Sequence, residues 1–447
     1  MKEKLKVGFI TTVSGRWPRE LPRQRKAKYD EYLKNAYPEY DFCFPDDIAE
    51  DKASLDAAIA KFKAFGVDVV LLMYGAFSGD DYACGLYDEL KTPIIFWSLR
   101  EPELHGGRLL ANALVAATMN SASVKRLGGT THFVLGNEDE PEAKKELDSI
   151  LSAYALKKAM SKVTFGLLGY RPTAFYNSAF NEGLIRRTFG IKMEETDLKV
   201  VFDKMAKYSE EEVDAEIAKI TVPVAKNLPE GHLENHARLC MAIREVFAEQ
   251  GYDYAALKCW PEMGNLHATP CAVIGRLADE GIHLICEGDV DAGLAYAAEN
   301  ILSKKPGFIT DLININEEEN YVTFWHCGNA APSLISENCN PEMANHPLAG
   351  QGTAIRAILK GGTITFARFC DIDGKYVLFV GKGEGVDSDM YTPGAMINVK
   401  LSCPVKKTIY EIIEKGIPHH YALAWGDYVE ELKAYAKLIG AEIIEAK

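Results

Sequence analysis

Apolar and polar positions in the first third of the chain alternate between strand-like and helix-like patterns. The runs KVGFITTV, VDVVLLMYG and TPIIFWSL are almost continuously apolar, whereas RQRKAKYDEYLKNAY and SLDAAIAKFKAFG are amphipathic with helical spacing. Near-continuous apolar strands separated by helices are typical of a parallel sheet with both faces covered. The pattern therefore predicts a Rossmann-like, doubly wound α/β domain over residues 1–160.

The same alternation restarts at KVTFGLLGY and continues to DAGLAYAAENILSKK. It predicts a second Rossmann-like α/β domain with a parallel sheet over residues 161–303. Loops at the carboxyl ends of such strands are the default ligand sites of these folds.

Beyond residue 304 the pattern changes to short strands with turn residues between them. The dipeptide Asp373-Gly374 separates two alternating runs, GTITFARFCDI and KYVLFVGKGEG, which is a strong hairpin signal. The run GKGEG lacks the following helix and the Lys-Ser/Thr of a phosphate-binding loop, so we do not expect it to bind a nucleotide. The pattern predicts a mostly antiparallel, barrel-like domain over residues 304–447.

The composition excludes several classes of partner. The 447 residues have a formal net charge of −14, which argues against nucleic acid or an anionic membrane surface as the main partner. The apolar runs are too short to span a bilayer, and the N-terminal run reads better as a strand than as a signal peptide. The 10 cysteines include no CxxC pair, which disfavours a zinc–cysteine site and predicts a reducing cytoplasm.

Acidic and histidine residues in the second half suggest chemistry. Glu287 lies in ICEGDVDAGLA, Asp311 in GFITDLININ, His326 in FWHCGNAAPSL and His420 in GIPHHYALAWGDY. Each follows an apolar run beside turn residues, as in a strand that ends in a functional loop. Carboxylates and imidazoles together form a ligand set suited to a divalent metal such as Mn²⁺, and the two carboxylates could also transfer protons.

Each acidic residue also has a structural interpretation. Asp289 could cap the helix that begins near residue 291, which would leave Glu287 for the chemistry. Asp311, taken alone, would more often be a turn residue than a ligand. Glu262 in KCWPEMGN follows an apolar strand and could be either a surface turn residue or a functional one.

The histidines have similar alternatives. A single histidine on an apolar strand, such as His326, is more often a core residue than a ligand. His419 and His420 are neighbours, and neighbouring side chains on an extended segment point in opposite directions. We therefore expect one of this pair to reach a metal while the other supports it or faces elsewhere.

Along most of its length the chain resembles the L-fucose isomerase and L-arabinose isomerase superfamily. CEGDVDAG is similar to the family's E-x-D segment, FITD to its second carboxylate, and PHHYALAWGD to its C-terminal histidine segment. HCGNAAPS resembles the arabinose branch, whereas SGRWPRE and IIFWSLREPELHGGRLLANAL resemble the fucose branch. The chain is shorter than typical members, and its second carboxylate is an Asp, as in the fucose branch.

The resemblance implies a metal-dependent aldose–ketose isomerase. It implies Mn²⁺, or another divalent ion such as Co²⁺ or Mg²⁺, held by Glu287, Asp311, His420 and His326. Glu287 and Asp311 would transfer the proton through a cis-enediol. The implied substrate is a free sugar: L-fucose, L-arabinose, D-arabinose, D-galactose or a C6-modified hexose such as sulfoquinovose.

The resemblance also implies further substrate contacts and an oligomer. Family members are oligomers in which the first domain completes a neighbour's site, so a trimer or hexamer with its active site at a subunit interface is expected. Arg16, Trp97 and Arg100 would then contact the sugar from the neighbouring subunit, and Glu262 and His419 from the same one. The alternative is that Arg16 and Arg100 form ordinary surface ion pairs.

Two other functions fit the same residues. One is a sugar epimerase on the same scaffold, with the acid and the base on opposite faces of the sugar. The other is a non-catalytic sugar-binding or regulatory protein. The intact set of Glu287, Asp311 and His420 argues against the second, because a binding protein does not require metal and acid/base groups.

Overall fold

The computed structural model of the chain describes residues 3–104, 106–386, 388–390 and 392–446. The chain divides into two compact units, Met1–Ala155 and Leu156–Lys447. Within the described residues, none of the helices combines the length and the apolarity needed to cross a bilayer.

The first unit is built around a five-stranded sheet of order β2-β1-β3-β4-β5, in which every pairing is parallel. Its strands are β1 (Lys6–Thr12), β2 (Asp41–Cys43), β3 (Val69–Tyr74), β4 (Ile94–Ser98) and β5 (Thr131–Leu135). Its helices are α1 (Glu20–Ala36), α2 (Lys52–Phe65), α3 (Asp80–Leu90) and α4 (Ala113–Arg126), followed by α5 (Pro141–Met160), which continues into the second unit.

Local chemistry explains where these elements begin and end. The central strand β3 is buried along its whole length, as its continuous apolar sequence predicts. Helix α2 begins at a capping box in which Asp51 and Ser54 satisfy each other's backbone N–H groups. It ends at Gly66, whose φ of 73° is readily adopted by glycine.

The second unit contains a four-stranded parallel sheet of order β7-β6-β8-β9. Its strands are β6 (Thr164–Leu168), β7 (Lys192–Thr196), β8 (Tyr254–Leu257) and β9 (His283–Ile285). The accompanying helices are α6 (Glu182–Phe189), α7 (Leu198–Met205), α8 (Glu210–Ile217), α9 (His232–Gln250), α10 (Glu262–Asn265), α11 (Cys271–Asp279) and α12 (Val290–Ser303).

The second unit also contains a nine-stranded sheet that closes on itself. Its strands are β10 (Phe308–Asn316), β11 (Tyr321–His326), β12 (Glu342–Asn345), β13 (Thr353–Ile358), β14 (Gly362–Ile372), β15 (Lys375–Val386), β16 (Ala395–Leu401), β17 (His420–Trp425) and β18 (Glu442–Glu445). Two helices, α13 (Val405–Lys415) and α14 (Val429–Ile439), flank the last strands. Because β15 pairs with both β14 and β16, strands β16-β11-β10-β17-β14-β15 form an antiparallel barrel.

The fold class predicted from the sequence, two parallel-sheet α/β regions followed by a mostly antiparallel barrel, is confirmed. The predicted hairpin is present between β14 and β15, where Asp373 and Gly374 have φ of 52° and 76°. GKGEG lies within β15 and is strand, not a phosphate loop. The three domain boundaries, 1–160, 161–303 and 304–447, stay predictions.

Candidate active site

Glu287 follows directly after β9, in a short 3-10 turn, Cys286–Gly288. Its backbone is left-handed, with φ 59° and ψ 21°, which is uncommon for a residue other than glycine and strains the chain. The next residue, Gly288, is also left-handed, and a Cβ there would lie 2.2 Å from the carbonyl oxygen of Tyr170. The turn therefore requires glycine after Glu287. The backbone of Glu287 itself is strained, as is common at functional sites.

Asp289 joins the parallel sheet region to the barrel. Its Oδ1 accepts the backbone N–H of Ala292 at 3.0 Å, which confirms the prediction that it caps the following helix. Both carboxylate oxygens also accept from Arg368 of β14, at 2.7 and 3.0 Å. Both side chains are fully buried, so this two-bond ion pair satisfies charges that would otherwise be costly inside the protein.

The same carboxylate orients His420, the first residue of β17. His420 Nδ1 lies 2.9 Å from Asp289 Oδ2. Burial raises the pKa of Asp289, but the Arg368 guanidinium and the hydrogen bond with His420 outweigh it and hold the pKa below its ordinary value. An ionised carboxylate can only accept, so Nδ1 of His420 carries the ring proton and Nε2 has a free lone pair.

Strand register places Asp311 beside His420. Asp311 of β10 is paired with His420 of β17 on one side and with Trp325 of β11 on the other. The expectation that Asp311 and His420 follow the ends of strands is wrong: Asp311 is the fourth residue of β10, and His420 begins its strand. The barrel strands, rather than a strand-end loop, determine the position of Asp311.

His326 is the last residue of β11 and is buried. Its ring lies 5.5 Å from that of His420, with the two planes 28° apart. Its Nδ1 accepts the backbone N–H of Cys327 at 2.8 Å, an arrangement that leaves the ring proton on Nε2.

Three buried polar atoms at this place have no hydrogen-bond partner among the described residues. They are Oδ1 of Asp311, Nε2 of His326 and Nε2 of His420. These same residues offer ligand atoms that all lie within 4.8 Å of one another. Glu287 Oε2 is 3.6 Å from His420 Nε2, which in turn is 3.6 Å from Asp311 Oδ1. Oxygen and imidazole nitrogen atoms in this arrangement suit a divalent cation.

His419 faces the same point as His420, contrary to the expectation that neighbouring side chains diverge. The two rings are 3.9 Å apart. The Asn177 amide nitrogen donates to His419 Nδ1 at 2.7 Å, so the ring proton is on Nε2, which is 3.3 Å from Glu287 Oε2. Burial raises the pKa of Glu287, but this hydrogen bond and the surrounding imidazoles outweigh it and lower the pKa overall.

A cavity of about 460 Å³ opens beside these groups. Phe175 and Trp260 form one wall, with their rings edge to face and 5.4 Å apart. Among the described residues that line the cavity there is no lysine or arginine. The lining consists of Phe175, Cys259, Trp260, Pro261, Gly264, Asn265, Thr269, Pro270, Cys271, Cys286, Glu287, His326, Cys327, His346, Leu348, Ala349 and Gln351. A cavity with aromatic walls and a few polar groups is suited to a small polar molecule such as a monosaccharide.

Two other predicted substrate contacts, Glu262 and Trp97, lie in different units. Glu262 opens α10, and its Oε1 accepts from Lys258 at 2.6 Å. In the first unit, Trp97 is 1% exposed, donates its indole N–H to the Gly136 carbonyl at 2.9 Å, and packs edge to face on Tyr29. The ring therefore lies in the core of that unit, and this position gives no support to sugar stacking.

The two arginines of the first unit are at its surface. Arg100 forms a salt bridge with Glu140 at 2.7 Å, which matches the alternative interpretation of an ordinary ion pair. Arg16 is exposed, and its carbonyl accepts from Arg108 at 2.9 Å.

The sequence reasoning missed several residues that shape the site. Arg368 was visible as a lone charge within the apolar run TITFARFC, which is a sign of a buried ion pair. Phe175 and Asn177 lie in the loop after β6, and this strand-end position is the sequence signal that points to them. Trp260 lies two residues before Glu262 in the KCWPEMGN segment.

Comparison with known proteins agrees with this architecture. Residues 324–447 match the family described as L-fucose isomerase, C-terminal domain. The chain is 28% identical over 401 residues to the sulfoquinovose isomerase of Priestia megaterium, covering 89% of this chain and 90% of that protein. It is 29% identical over 381 residues to the sulfoquinovose isomerase of Alkalicoccus urumqiensis, covering 85% and 86%. The corresponding enzyme of Clostridium sp. (strain MSTE9) is 26% identical over 373 residues.

The fold, the C-terminal family match and the relatives define the class of this protein as an aldose–ketose isomerase. Residues 324–447 match the L-fucose isomerase C-terminal domain family, and the chain is similar to sulfoquinovose isomerases over most of its length, which agrees with the motifs of its second half.

Proposed function

We propose that the chain is a metal-dependent isomerase that interconverts sulfoquinovose and the corresponding ketose. The observation that supports the metal most strongly is the convergence of three buried, unpartnered polar atoms beside a sugar-sized cavity. The substrate assignment rests on the relatives, which are named sulfoquinovose isomerases. The alignments with two of them cover 89% of this chain.

The residues fit a divalent cation such as Mn²⁺, Co²⁺ or Mg²⁺. Glu287, Asp311 and His420 would hold it, because the two carboxylates and the Nε2 lone pair of His420 face one point. His326 stays the predicted fourth ligand. As placed, its Nε2 bears the ring proton, so ligation requires the other tautomer and the loss of the Cys327 N–H bond. When bound, the cation would supply Lewis acidity toward the sugar carbonyl.

The chain's own groups would transfer the proton. One of the carboxylates, Glu287 or Asp311, removes the proton from the carbon beside the carbonyl, and the other returns a proton to the adjacent carbon. His419 donates its Nε2 proton to Glu287 and is fixed in that tautomer by Asn177. It would keep Glu287 oriented and ionised before it accepts a proton from the sugar.

The binding of an anionic sugar poses a requirement that the cavity lining does not meet. Sulfoquinovose has a negatively charged sulfonate at C6, yet the described lining includes no lysine or arginine. A homo-oligomer, a trimer or hexamer, in which Arg16 and Arg100 of a neighbouring subunit reach the site would provide the charge. Light scattering tests the oligomeric state. Kinetics of Arg16→Ala with a C6-anionic and a neutral sugar test the arginine, and a rise in KM for the anionic sugar alone supports its role.

A cytoplasmic location stays a prediction.

A neutral sugar such as L-fucose is the second candidate. It is favoured by the absence of lysine and arginine from the described lining and by the family that the C-terminal residues match. The two candidates make opposite predictions about the charge that the enzyme prefers at C6.

The test is an isomerisation screen with Mn²⁺-supplemented protein and EDTA-treated controls. The panel contains sulfoquinovose, L-fucose, L-arabinose, D-arabinose and D-galactose, with ketose detection. EDTA-sensitive turnover highest for sulfoquinovose supports the main proposal, and highest turnover of a neutral aldose supports the second candidate. Metal binding without turnover of any sugar would contradict both.

A deuterium label at substrate C2 tests the proton-transfer route. Loss of the label to water is expected for an enediol, because the abstracted proton exchanges on a solvent-accessible carboxylate. Complete retention at C1 would indicate a hydride shift instead.

A further inference from the structure

Four thiols form a row along the cavity. Cys259 follows β8, Cys286 follows β9, Cys271 begins α11 and Cys327 follows β11, and all four line the cavity. Within this lining each thiol is close enough to the next to perturb its pKa, in the order Cys259, Cys286, Cys271, Cys327. Residues far apart in the sequence are thus brought together by the parallel sheet and the barrel.

The two ends of this row differ in exposure. Cys259, Cys271 and Cys286 are buried, whereas Cys327 is half-buried. Cys327 also contacts the imidazoles of His326 and His346. An oxidant that enters the cavity would therefore meet Cys327 first, with Cys271 directly behind it.

We propose that Cys271 and Cys327 form a redox-responsive pair, which an oxidant of the peroxide class joins as a disulfide that inactivates the site reversibly. The assignment rests on the place of both thiols in one cavity lining and on the greater exposure of Cys327. Neither thiol is needed for the proton transfer proposed above, and the inference goes beyond that function.

The chemistry balances in two steps. The Cys327 sulfur attacks one oxygen of hydrogen peroxide, the O–O bond breaks, and a sulfenic acid and one water form. The Cys271 sulfur then attacks the sulfenic sulfur, the S–O bond breaks, and the S–S bond and a second water form. Two thiols lose two electrons and two protons to one peroxide, and a dithiol such as dithiothreitol reverses the link by thiol–disulfide exchange.

The disulfide would alter the site because of where Cys327 lies. It is the next residue after His326, and its backbone N–H donates to His326 Nδ1. Fixing the Cys327 side chain on the first turn of α11 would shift His326 and narrow the cavity. We expect turnover to fall at least tenfold in the oxidised protein and to return on reduction.

The experiment is disulfide mapping by mass spectrometry after treatment with a small excess of hydrogen peroxide and alkylation of free thiols. The full-length wild-type protein is expected to give a peptide pair linked between Cys271 and Cys327. Cys271→Ser should lack the link and give a Cys327 sulfenic acid that dimedone traps. Cys84→Ser, which removes a half-buried thiol of the first unit, should retain the link and serves as the matched control.

Activity measurements accompany the mapping, each variant being compared with its own untreated sample. Turnover that dithiothreitol restores but arsenite does not, in wild type and Cys84→Ser, supports the proposal, because arsenite reduces a sulfenic acid but not a disulfide; in Cys271→Ser arsenite should restore whatever turnover is lost. A link between other cysteines, oxidation of Cys84 before the cavity thiols, or a Cys271–Cys327 link without loss of turnover would overturn it. Disulfide mapping needs no substrate, so its result tests the cysteine pair even if the proposed sugar is wrong.

Discussion

The loop after β4 in the first unit and the cluster around His420 in the second unit differ in how completely their polar side chains are satisfied. Near the strand ends of the first unit, Arg100 is paired with Glu140, and the Glu101 carboxylate accepts three backbone N–H groups, from Leu110, Ala111 and Asn112. In the second unit, by contrast, three buried polar atoms converge without a partner among the described residues.

The difference indicates where a ligand is required. A buried donor or acceptor without a partner costs about 1–3 kcal/mol, so a folded protein rarely has several at one point unless something else satisfies them. The satisfied Arg100 and Glu101 side chains stabilise the loop after β4. The unsatisfied atoms of the second unit include Nε2 of His420, whose ring is held in place by the buried Asp289 of the Arg368–Asp289 pair.

The largest expected effect comes from removing the charge of either carboxylate in the second unit. Glu287→Gln or Asp311→Asn should each lower kcat by roughly 10²–10⁴-fold, because each group is both a metal ligand and a proton carrier in the proposed mechanism. Steady-state kinetics with Mn²⁺ measures this. Glu249→Gln, at an exposed pair with Lys204, is the matched control. Near wild-type turnover of either site variant would show that the site is assigned wrongly.

Asp289→Asn removes the charge that orients His420 and pairs with Arg368, and it leaves Glu287, Asp311 and His420 themselves unchanged. Affinity for Mn²⁺ should fall about 10–100-fold, because the orientation and tautomer of His420 are no longer enforced. The free energy of unfolding should fall by about 3–5 kcal/mol, because Arg368 loses its buried counter-charge. Calorimetric Mn²⁺ titration and denaturant unfolding measure the two effects. Unchanged Mn²⁺ affinity would mean that Asp289 is only a helix cap.

Trp97→Phe tests whether the buried indole of the first unit serves stability rather than substrate binding. It should lower the free energy of unfolding by about 2–3 kcal/mol, because the indole bond to Gly136 and part of the buried ring are lost. KM for the sugar should stay unchanged, since the ring faces Tyr29 in the core of the first unit. A rise in KM without a loss of stability would instead make Trp97 a substrate contact.

A pH-dependent effect on stability is expected at Asp291, next to the buried pair. Burial raises the pKa of Asp291 to about 7, well above the roughly 3.9 of an unfolded Asp. Between about pH 4 and 7 the folded state retains a proton that the unfolded state releases, so stability falls as pH rises through this window. Asp291→Asn should flatten that slope in unfolding curves taken across the range. An identical slope in both proteins would refute the assignment.

Much of the fold could be predicted from the sequence because it depends on local patterns. Apolar strands between amphipathic helices indicated both parallel sheets, and Asp373-Gly374 identified the β14–β15 hairpin. The closure of the barrel, in which β15 pairs with both β14 and β16, depends on contacts between distant segments and has no local signal.

The site residues were visible in the sequence, but their arrangement was not. The motifs around Glu287, Asp311 and His420 were found, whereas the role of Arg368 required knowing that β14 lies beside the start of α12. The convergence of His419 and His420 was missed because the alternation rule holds inside a strand, and His420 is where β17 begins.

The most direct test of the central claim, that Glu287, Asp311 and His420 form a metal site that drives isomerisation, is turnover of sulfoquinovose by EDTA-stripped protein titrated with Mn²⁺. The account predicts negligible turnover of the stripped wild type and recovery that saturates at one Mn²⁺ per chain, with no recovery in Glu287→Gln. Full turnover of the stripped protein, or equal recovery by Glu287→Gln, would contradict it.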